Sequence, residues 1–236
     1  VLIIKGVVLQ VAVGLPQQYG SPNATDPMDK PWQTGFFKQP VTGAVRLNRL
    51  GFEGDGVADL VNHGGKDKAV LCYSAEHYPV WRAEFQQMEA VSERFPLESF
   101  GDGAFGENLT MAGLSEENVC LGDVYEVGSA KIQVSQPRQP CWKLGRRWRL
   151  KQLTALAVST GRMGWYVRVL EEGGVAAGEE MVLAERTLPE WPVSRLNQLF
   201  YRDRSNLEDA QEMANCDVLA EAWRSEFRKR IKKITS

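Results

Sequence analysis

Apolar and polar residues alternate at the start of the chain. Val7, Leu9, Val11 and Val13 fall two apart, which predicts a strand with these four side chains on one face. From Gly14 to Pro40 the alternation gives way to Gly, Pro and Asn, predicting loops or short hairpins. Between Val41 and Ser74, glycines punctuate short apolar runs, the pattern of strands and turns. The stretch SAEHYPVWRAEFQQ shifts to helical spacing. Ser74 is its candidate N-cap, yet Pro79 fits only a first turn, so the helix is expected to begin nearer Tyr78. β structure is expected again from Glu107 to Pro137, with Gly128-Ser129 as a two-residue hairpin loop. GRMGWYVRVLEEGG predicts a short helix ended by glycine, and EEMVLAER predicts a closing strand.

The pattern changes after Arg186. TLPEWP has the look of a linker with two prolines, and no glycine occurs from Val193 onward. Three helices are expected, over 193–201, over 207–214 with Asn206 as cap, and over 218–231, where Leu219, Trp223, Phe227 and Ile231 recur every four residues. The expected fold is mostly β (α+β): residues 1–186 form a barrel or sandwich with peripheral helices, and residues 187–236 form a small C-terminal three-helix domain. A unit that small has little core of its own and is expected to dock on the larger one.

Composition narrows the function classes. With 236 residues, 43% of them hydrophobic, the chain can bury a core without disulfides or structural metal. A net charge of −2 gives no global attraction to nucleic acid or an anionic membrane. No apolar run approaches the ~20 residues that span a bilayer. The N-terminal VLIIKGVVLQVAVGLP is interrupted by Lys5 and Gln10 and has no charged segment ahead of it, so a strand is expected there and not a signal peptide. The cysteines are Cys72, Cys120, Cys141 and Cys216; they form no C-x-x-C pair, and His63 and His77 complete no zinc spacing. A reducing, cytoplasmic setting is the default expectation.

Four stretches carry candidate chemistry. GDGAFG, residues 101–106, matches G-x-G-x-x-G but has no strand before it and no helix after it, so a glycine turn is expected rather than a dinucleotide fingerprint. NHGGKDKAV, residues 62–70, can form an anion-binding nest of backbone N–H groups with lysine charge beside it, or a solvated turn. WRSEFRKRIKKITS is a basic amphipathic helix, which serves most often for packing with a solvated face. VSQPRQPCWKLGRRW is the most specific. Pro137 and Pro140 stiffen the turn that presents Cys141, with Arg138 before it and Arg146 and Arg147 beyond. Neighbouring cations favour thiolate, which is both nucleophile and soft metal ligand; the alternative is a buried structural cysteine, as Cys72, Cys120 and Cys216 are expected to be.

Three of these segments together, GDGVADLVNHGGKDKAVLCYS, FGENLT and QPRQPCWKLGRR in that order, resemble the MOSC domain, the module named for the C-terminal part of molybdenum cofactor sulfurase. The helical tail brings the resemblance to the family's bacterial YiiM type. It implies a MOSC-type β-barrel that binds a pterin-based molybdenum cofactor (molybdopterin) in a basic pocket, with Cys141 as thiolate ligand to the metal and catalytic centre. It also implies reduction of N-hydroxylated bases such as 6-hydroxylaminopurine to the amine, with electrons from a separate flavoprotein reductase.

On that reading Arg49, His63, Gly64, Gly65, Lys68 and Arg138 hold the cofactor's phosphate or the polar pterin edges, and Asn108 reads the pterin. Glu107 and Asp55 lie inside the motifs as possible proton donors, and sequence places neither. The three-helix unit is the candidate docking site for the reductase. Alternative readings keep Cys141 as a persulfide sulfur carrier, make the chain a cofactor carrier without turnover, or use the last helix to bind nucleic acid.

Overall fold

The computed structural model describes residues 4–59, 63–88 and 95–235. Seven strands close into a barrel: β1 (Lys5–Val13), β2 (Val70–Ser74), β3 (Leu109–Ala112), β4 (Val124–Val127), β5 (Ala130–Pro137), β6 (Trp165–Glu171) and β7 (Glu180–Glu185). Their order around the wall is β7-β4-β5-β6-β2-β3-β1, and β1 pairs back onto β7. The β2–β3 pairing is parallel and the other six are antiparallel. Closure leaves the ring without a free edge. Val8, Val11, Val70, Leu109, Met111, Tyr125, Val134 and Trp165 belong to its core.

Two expectations fail for physical reasons. Val7, Leu9, Val11 and Val13 do not share a buried face: Val8 and Val11 are buried, while Leu9 is 45% exposed. A bulge between Val8 and Gln10 in the pairing of β1 with β3 shifts the alternation by one residue. The segment after Gly164 is strand β6 rather than a glycine-ended helix. Trp165, Val167 and Val169 are buried and alternate with Tyr166, Arg168 and Leu170, a period of two built from aromatic and β-branched residues. The glycine-ended helix lies one segment earlier, where Gly161 takes a positive φ of 77° after Thr160.

The peripheral helices are α1 (His77–Gln86), α2 (Trp142–Arg147) and α3 (Leu153–Thr160). Pro79 sits in the first turn of α1 as its chemistry requires; Glu76, not Ser74, is the N-cap position, and Ser74 ends β2. These helices pack with the segment around Phe100–Phe105 over a second apolar cluster that includes Tyr73, Trp81, Phe85, Leu144 and Met163. Val127 and Ala130 pair across Gly128-Ser129, with Gly128 at φ 55°. The segment from Gly14 to Pro40 contains a short hairpin, Gln17–Tyr19 with Trp32–Thr34.

Beyond Arg186 come α4 (Val193–Tyr201), α5 (Leu207–Asn215) and α6 (Glu221–Thr235). Asn206 caps α5 by accepting from Asp209 N at 3.1 Å. Trp191, Leu196, Met213, Trp223 and Phe227 form the core of this unit, and Leu121 of the barrel segment joins it. Backbone bonds stitch the two together: Leu121 N to Trp191 O at 2.8 Å, Val193 N to Val119 O at 2.9 Å and Ala220 N to Ser135 O at 3.0 Å. Among the described residues no helix is long and apolar enough to cross a membrane.

Candidate functional site

A cavity of about 380 Å³ opens at one end of the barrel. Five segments build most of its wall: the loop around Thr34–Lys38, the stretch from Leu50 to Asp59, the turn His63-Gly64-Gly65 with Lys68, the Phe105–Asn108 stretch before β3, and the β5–α2 connection carrying Arg138, Cys141 and Lys143; Tyr166 of β6 joins them. His63, Gly64, Gly65, Lys68, Asn108, Arg138 and Cys141 therefore meet at one cavity although they span almost eighty positions. Asn62 lies outside the described residues.

Arg138 is only 4% exposed. Its guanidinium lies 5.8 Å from the Phe36 ring centroid and 5.7 Å from that of Phe105, and its Nη1 is buried with no hydrogen-bond partner. A buried cationic donor left unpaired is expensive unless an anion meets it. The Gly64-Gly65 turn on the same cavity leaves space for one at Gly65. Gly64 has φ 76°, and a Cβ there would meet Val57 Cγ2 at 2.8 Å; Gly65 has φ 81°, and a Cβ there would meet nothing within 4 Å. Burial, then the charges of Lys68 and Arg138, hold the His63 pKa below its usual 6.5. The Lys68 pKa is likewise lowered, by burial against the pull of Asp59 and Asp67.

Cys141 sits where β5 hands over to α2, half-buried on the cavity wall. Its carbonyl accepts from Leu144 N and from Thr154 Oγ1, both at 3.1 Å, so the backbone that carries the sulfur is fixed from two sides. Cys72 and Cys120 differ, being buried, while Cys216, expected to be buried, is half-buried and packs against the core of the helical unit. Burial pushes the Cys72 thiol far up and the Cys120 thiol up to about 11, which keeps both protonated and inert.

The neighbouring arginines do something other than line the cavity. Arg146 donates through Nε to Met28 O at 2.9 Å and through Nη2 to Lys30 O. Arg147 donates through Nη1 to Phe36 O and Gly103 O, both at 2.9 Å. Lys143 donates to Gln33 O at 2.9 Å, and Arg149 pairs with Asp26 and Asp29. These four residues strap the Gly14–Pro40 segment onto the Cys141 segment and so fix one side of the cavity.

Three sequence expectations change. Arg49 is not among the residues lining the cavity: its Nη1 donates to Val169 O at 2.8 Å and its N–H to Glu172 Oε1 at 3.0 Å. Asn108 lines the cavity, but Nδ2 donates to Ala12 O at 3.2 Å and Asp55 Oδ2 at 2.8 Å, and Oδ1 accepts from Leu71 N at 3.1 Å. Its donors are spent on bracing the wall. Glu107 is fully buried and accepts from Tyr78 Oη, from Gly103 N at 2.6 Å, Phe105 N at 3.0 Å and Thr110 Oγ1 at 3.0 Å; it is a structural hub.

Sequence reading missed Lys38, an almost fully buried lysine on the cavity wall, ion-paired with Asp55. Burial lowers its pKa while Asp55 raises it. Its only signal was a lysine after two aromatics in TGFFKQP, which carries no motif.

Among the described residues no group of three or more His, Cys, Asp or Glu stands ready to hold a metal ion. A single cysteine at a cationic cavity suits a soft metal that arrives already ligated by an anionic organic group, and the orphaned Arg138 donor and the open face of Gly65 suit that group's anionic part. The residues present fit such a cofactor.

The sequence matches the family described as the MOSC domain over residues 59–182 and the one described as the YiiM-like, 3-alpha helix domain over residues 191–233. It is 44% identical over 211 residues to YflK of Bacillus subtilis, which covers 89% of this chain and 90% of that protein. Over 167 residues it is 36% identical to a protein named Reductase from Gibberella moniliformis, covering 70% of this chain and 28% of that longer protein. The crystal structure of YiiM from Geobacillus stearothermophilus superposes with a TM-score of 0.76 at 33% identity, covering 96% of this chain and 99% of that one. The chain belongs to the MOSC domain family and, with its C-terminal three-helix unit, to the YiiM type within it.

Proposed function

We propose that the cavity binds a molybdenum–pterin cofactor and that the protein is an oxidoreductase which reduces N-hydroxylated bases to amines. The observation that carries this reading is the pairing, on one cavity wall, of a half-buried cysteine with a buried arginine whose Nη1 has no partner. Cys141 Sγ would ligate the metal, and Arg138, His63, Lys68 and the Gly64-Gly65 backbone would hold the anionic part of the pterin. When bound, the group supplies two-electron chemistry at the substrate's N–O bond. In the overall reaction R–NHOH takes up two electrons and two protons, the N–O bond breaks, and R–NH₂ and water leave. A separate flavoprotein reductase supplies the electrons.

The chain's own contribution is positional and protic. The fixed carbonyl of Cys141 limits the directions its sulfur can take. The straps from Lys143, Arg146 and Arg147 hold the Phe36 loop in place beside the cavity. Lys38 Nζ carries a proton against Asp55 Oδ1 on the wall, and burial makes that proton easier to release than from a lysine in water.

The test is turnover. Protein made in a cofactor-competent cell, given a flavoprotein reductase and 6-hydroxylaminopurine, is expected to yield adenine, with Cys141→Ser inactive. A persulfide on Cys141 of active-site-intact protein that carries no molybdenum and reduces nothing would instead favour the sulfur-carrier reading.

A further inference from the structure

Tyr166 of β6 lines the cavity. In the sheet it stands between Gln136 of β5 and Leu71 of β2. Side chains directly opposite one another on antiparallel strands share a face, and Leu71 also lines the cavity. Arg138, two residues beyond Gln136, keeps the pairing, its N–H donating to Gly164 O at 3.0 Å. Arg138 and Tyr166 are therefore diagonal neighbours on one face. Burial raises the pKa of the Tyr166 phenol; Arg138 lowers it and Cys141 raises it, so both side chains lie within electrostatic reach of the ring's hydroxyl.

The backbone that carries the ring is fixed. Ser135 Oγ lies 3.0 Å from Tyr166 O and 2.6 Å from Asp67 O, which ties this strand to the short turn Lys66–Lys68. Polar groups elsewhere on the wall are committed: Asn108 and Lys38 to Asp55, and Lys143 to Gln33 O. The Tyr166 hydroxyl is not. It has no hydrogen-bond partner among the described residues, and it is not fully enclosed. A phenol is protonated near neutral pH, so the cavity has an uncharged donor beside the charged, unpartnered Arg138 Nη1. The charged donor suits an anionic group. The neutral one, which keeps its proton, suits a neutral oxygen.

We propose that Tyr166 is a catalytic residue whose Oη–H donates a hydrogen bond to the hydroxyl oxygen of the N–OH substrate. That bond strengthens as the oxygen takes the electron pair of the breaking N–O bond. Tyr166 keeps its own proton throughout; of the two protons taken up in the overall reaction, one goes to the nitrogen and one to the oxygen, both supplied from outside the phenol. This rests on the functional reading above, whereas the donor's preference for an N–OH group is measurable without redox turnover.

The test compares 6-hydroxylaminopurine with adenine, which differ by that one oxygen. Protein is purified from a cofactor-competent cell, its molybdenum and pterin are measured, and binding is followed by calorimetry without reductant, so that nothing turns over. The wild type is expected to bind the hydroxylamine more tightly than adenine. Tyr166→Phe, which keeps the ring, is expected to cut that preference roughly two- to twelvefold, the range for one hydrogen bond. Adenine affinity, cofactor content and melting temperature are expected to stay at wild-type values. With a flavoprotein reductase added, kcat for 6-hydroxylaminopurine is expected to fall by a larger factor than the binding preference.

A preference or a kcat that Tyr166→Phe leaves intact, or wild-type protein that does not distinguish the two purines, overturns the proposal. An equal loss of affinity for both purines also overturns it and makes the phenol a structural part of the wall, as does a loss of cofactor, which makes it a cofactor ligand. Wild-type protein that carries no molybdenum yet shows a Tyr166-dependent preference keeps the donor in place, and the redox reading falls instead.

Discussion

Arg138 concentrates the energetic tension of the site in one side chain. Its buried Nη1 has no partner, so the metal-free protein holds a donor that an anion would satisfy. Arg138→Met removes that unmet donor, worth about 1–3 kcal/mol, and keeps much of the stem that packs near Phe36 and Phe105. The metal-free variant is expected to melt at or above the wild-type temperature in calorimetry while losing cofactor; a large drop in melting temperature would mean the guanidinium serves the fold instead.

His63 gives a second reading of the same field. Its pKa is held below 6.5 by burial and by positive neighbours, so folding opposes its protonation. Stability of the metal-free protein is therefore expected to be full above about pH 6.5 and to fall as pH drops from there toward the folded-state pKa. Bound phosphate should raise that pKa, an effect visible in an NMR titration; a His63 titrating above 6.5 without anion would contradict the account.

At this scale sequence reading singled out Cys141 by two preceding prolines and a motif, and Cys141 lies on the cavity wall. The same reading misjudged Arg146 and Arg147, since proximity in sequence does not say which way a helical side chain points. Arg49 is a similar case: it follows the short strand Val45–Asn48 and donates to Glu172 and Val169, which do not line the cavity.

At the scale of elements, the cavity depends on a turn held from behind. Asp67 lies in the short turn Lys66–Lys68, and its Oδ1 accepts from Arg168 Nε on β6 at 2.9 Å. Arg168 also donates through Nη2 to Val218 O at 2.8 Å, and Ser135 Oγ donates to Asp67 O at 2.6 Å. The face of this turn toward the cavity carries Gly65 and Lys68. Arg168→Ala is expected to speed hydrogen–deuterium exchange across residues 63–69 and to reduce cofactor retention. Exchange unchanged in that peptide would show that the turn stands without the clamp.

Gly64→Ala should be more damaging, because it adds a positive-φ side chain that meets Val57 at 2.8 Å; the loss is of the order of 1–3 kcal/mol by chemical denaturation. The glycines themselves were legible in the sequence. The strand β6 was not, since GRMGWYVRVLEEGG offers glycine signals at both ends and only its two barrel partners decide the period. Likewise a bulge leaves no trace in apolar spacing until the partner strand is known.

For the whole molecule, the barrel and the helical unit share structure instead of merely touching. Leu121 sits in the helical core, and Arg168 joins Val218 to the cavity turn. Thermal unfolding is expected as one cooperative transition, and a chain ending at Pro189 should unfold at lower temperature. Two separate transitions would contradict this.

The basic last helix, which sequence reading offered to a partner, spends much of its charge internally. Arg224 pairs with Asp217 and Glu221, Arg228 with Glu221 and Lys229 with Glu226, while Arg230 donates to Leu199 O and Phe200 O. Fold class and the three helices were legible because periodicity and glycine content change sharply along the chain. The closing strand was expected at EEMVLAER and is β7, which pairs with β1 from the opposite end of the larger unit; the register of that pairing was not legible.

The central claim is that Cys141 would hold the metal and Arg138 the anionic part of one metal–pterin group. Its most direct test is the molybdenum and pterin content of wild-type, Cys141→Ser and Arg138→Met protein purified from a cofactor-competent cell. The account predicts close to one molybdenum and one pterin per wild-type chain, loss of the metal in Cys141→Ser and loss of both in Arg138→Met. Wild-type protein lacking both, or variants that retain them at wild-type levels, would contradict it.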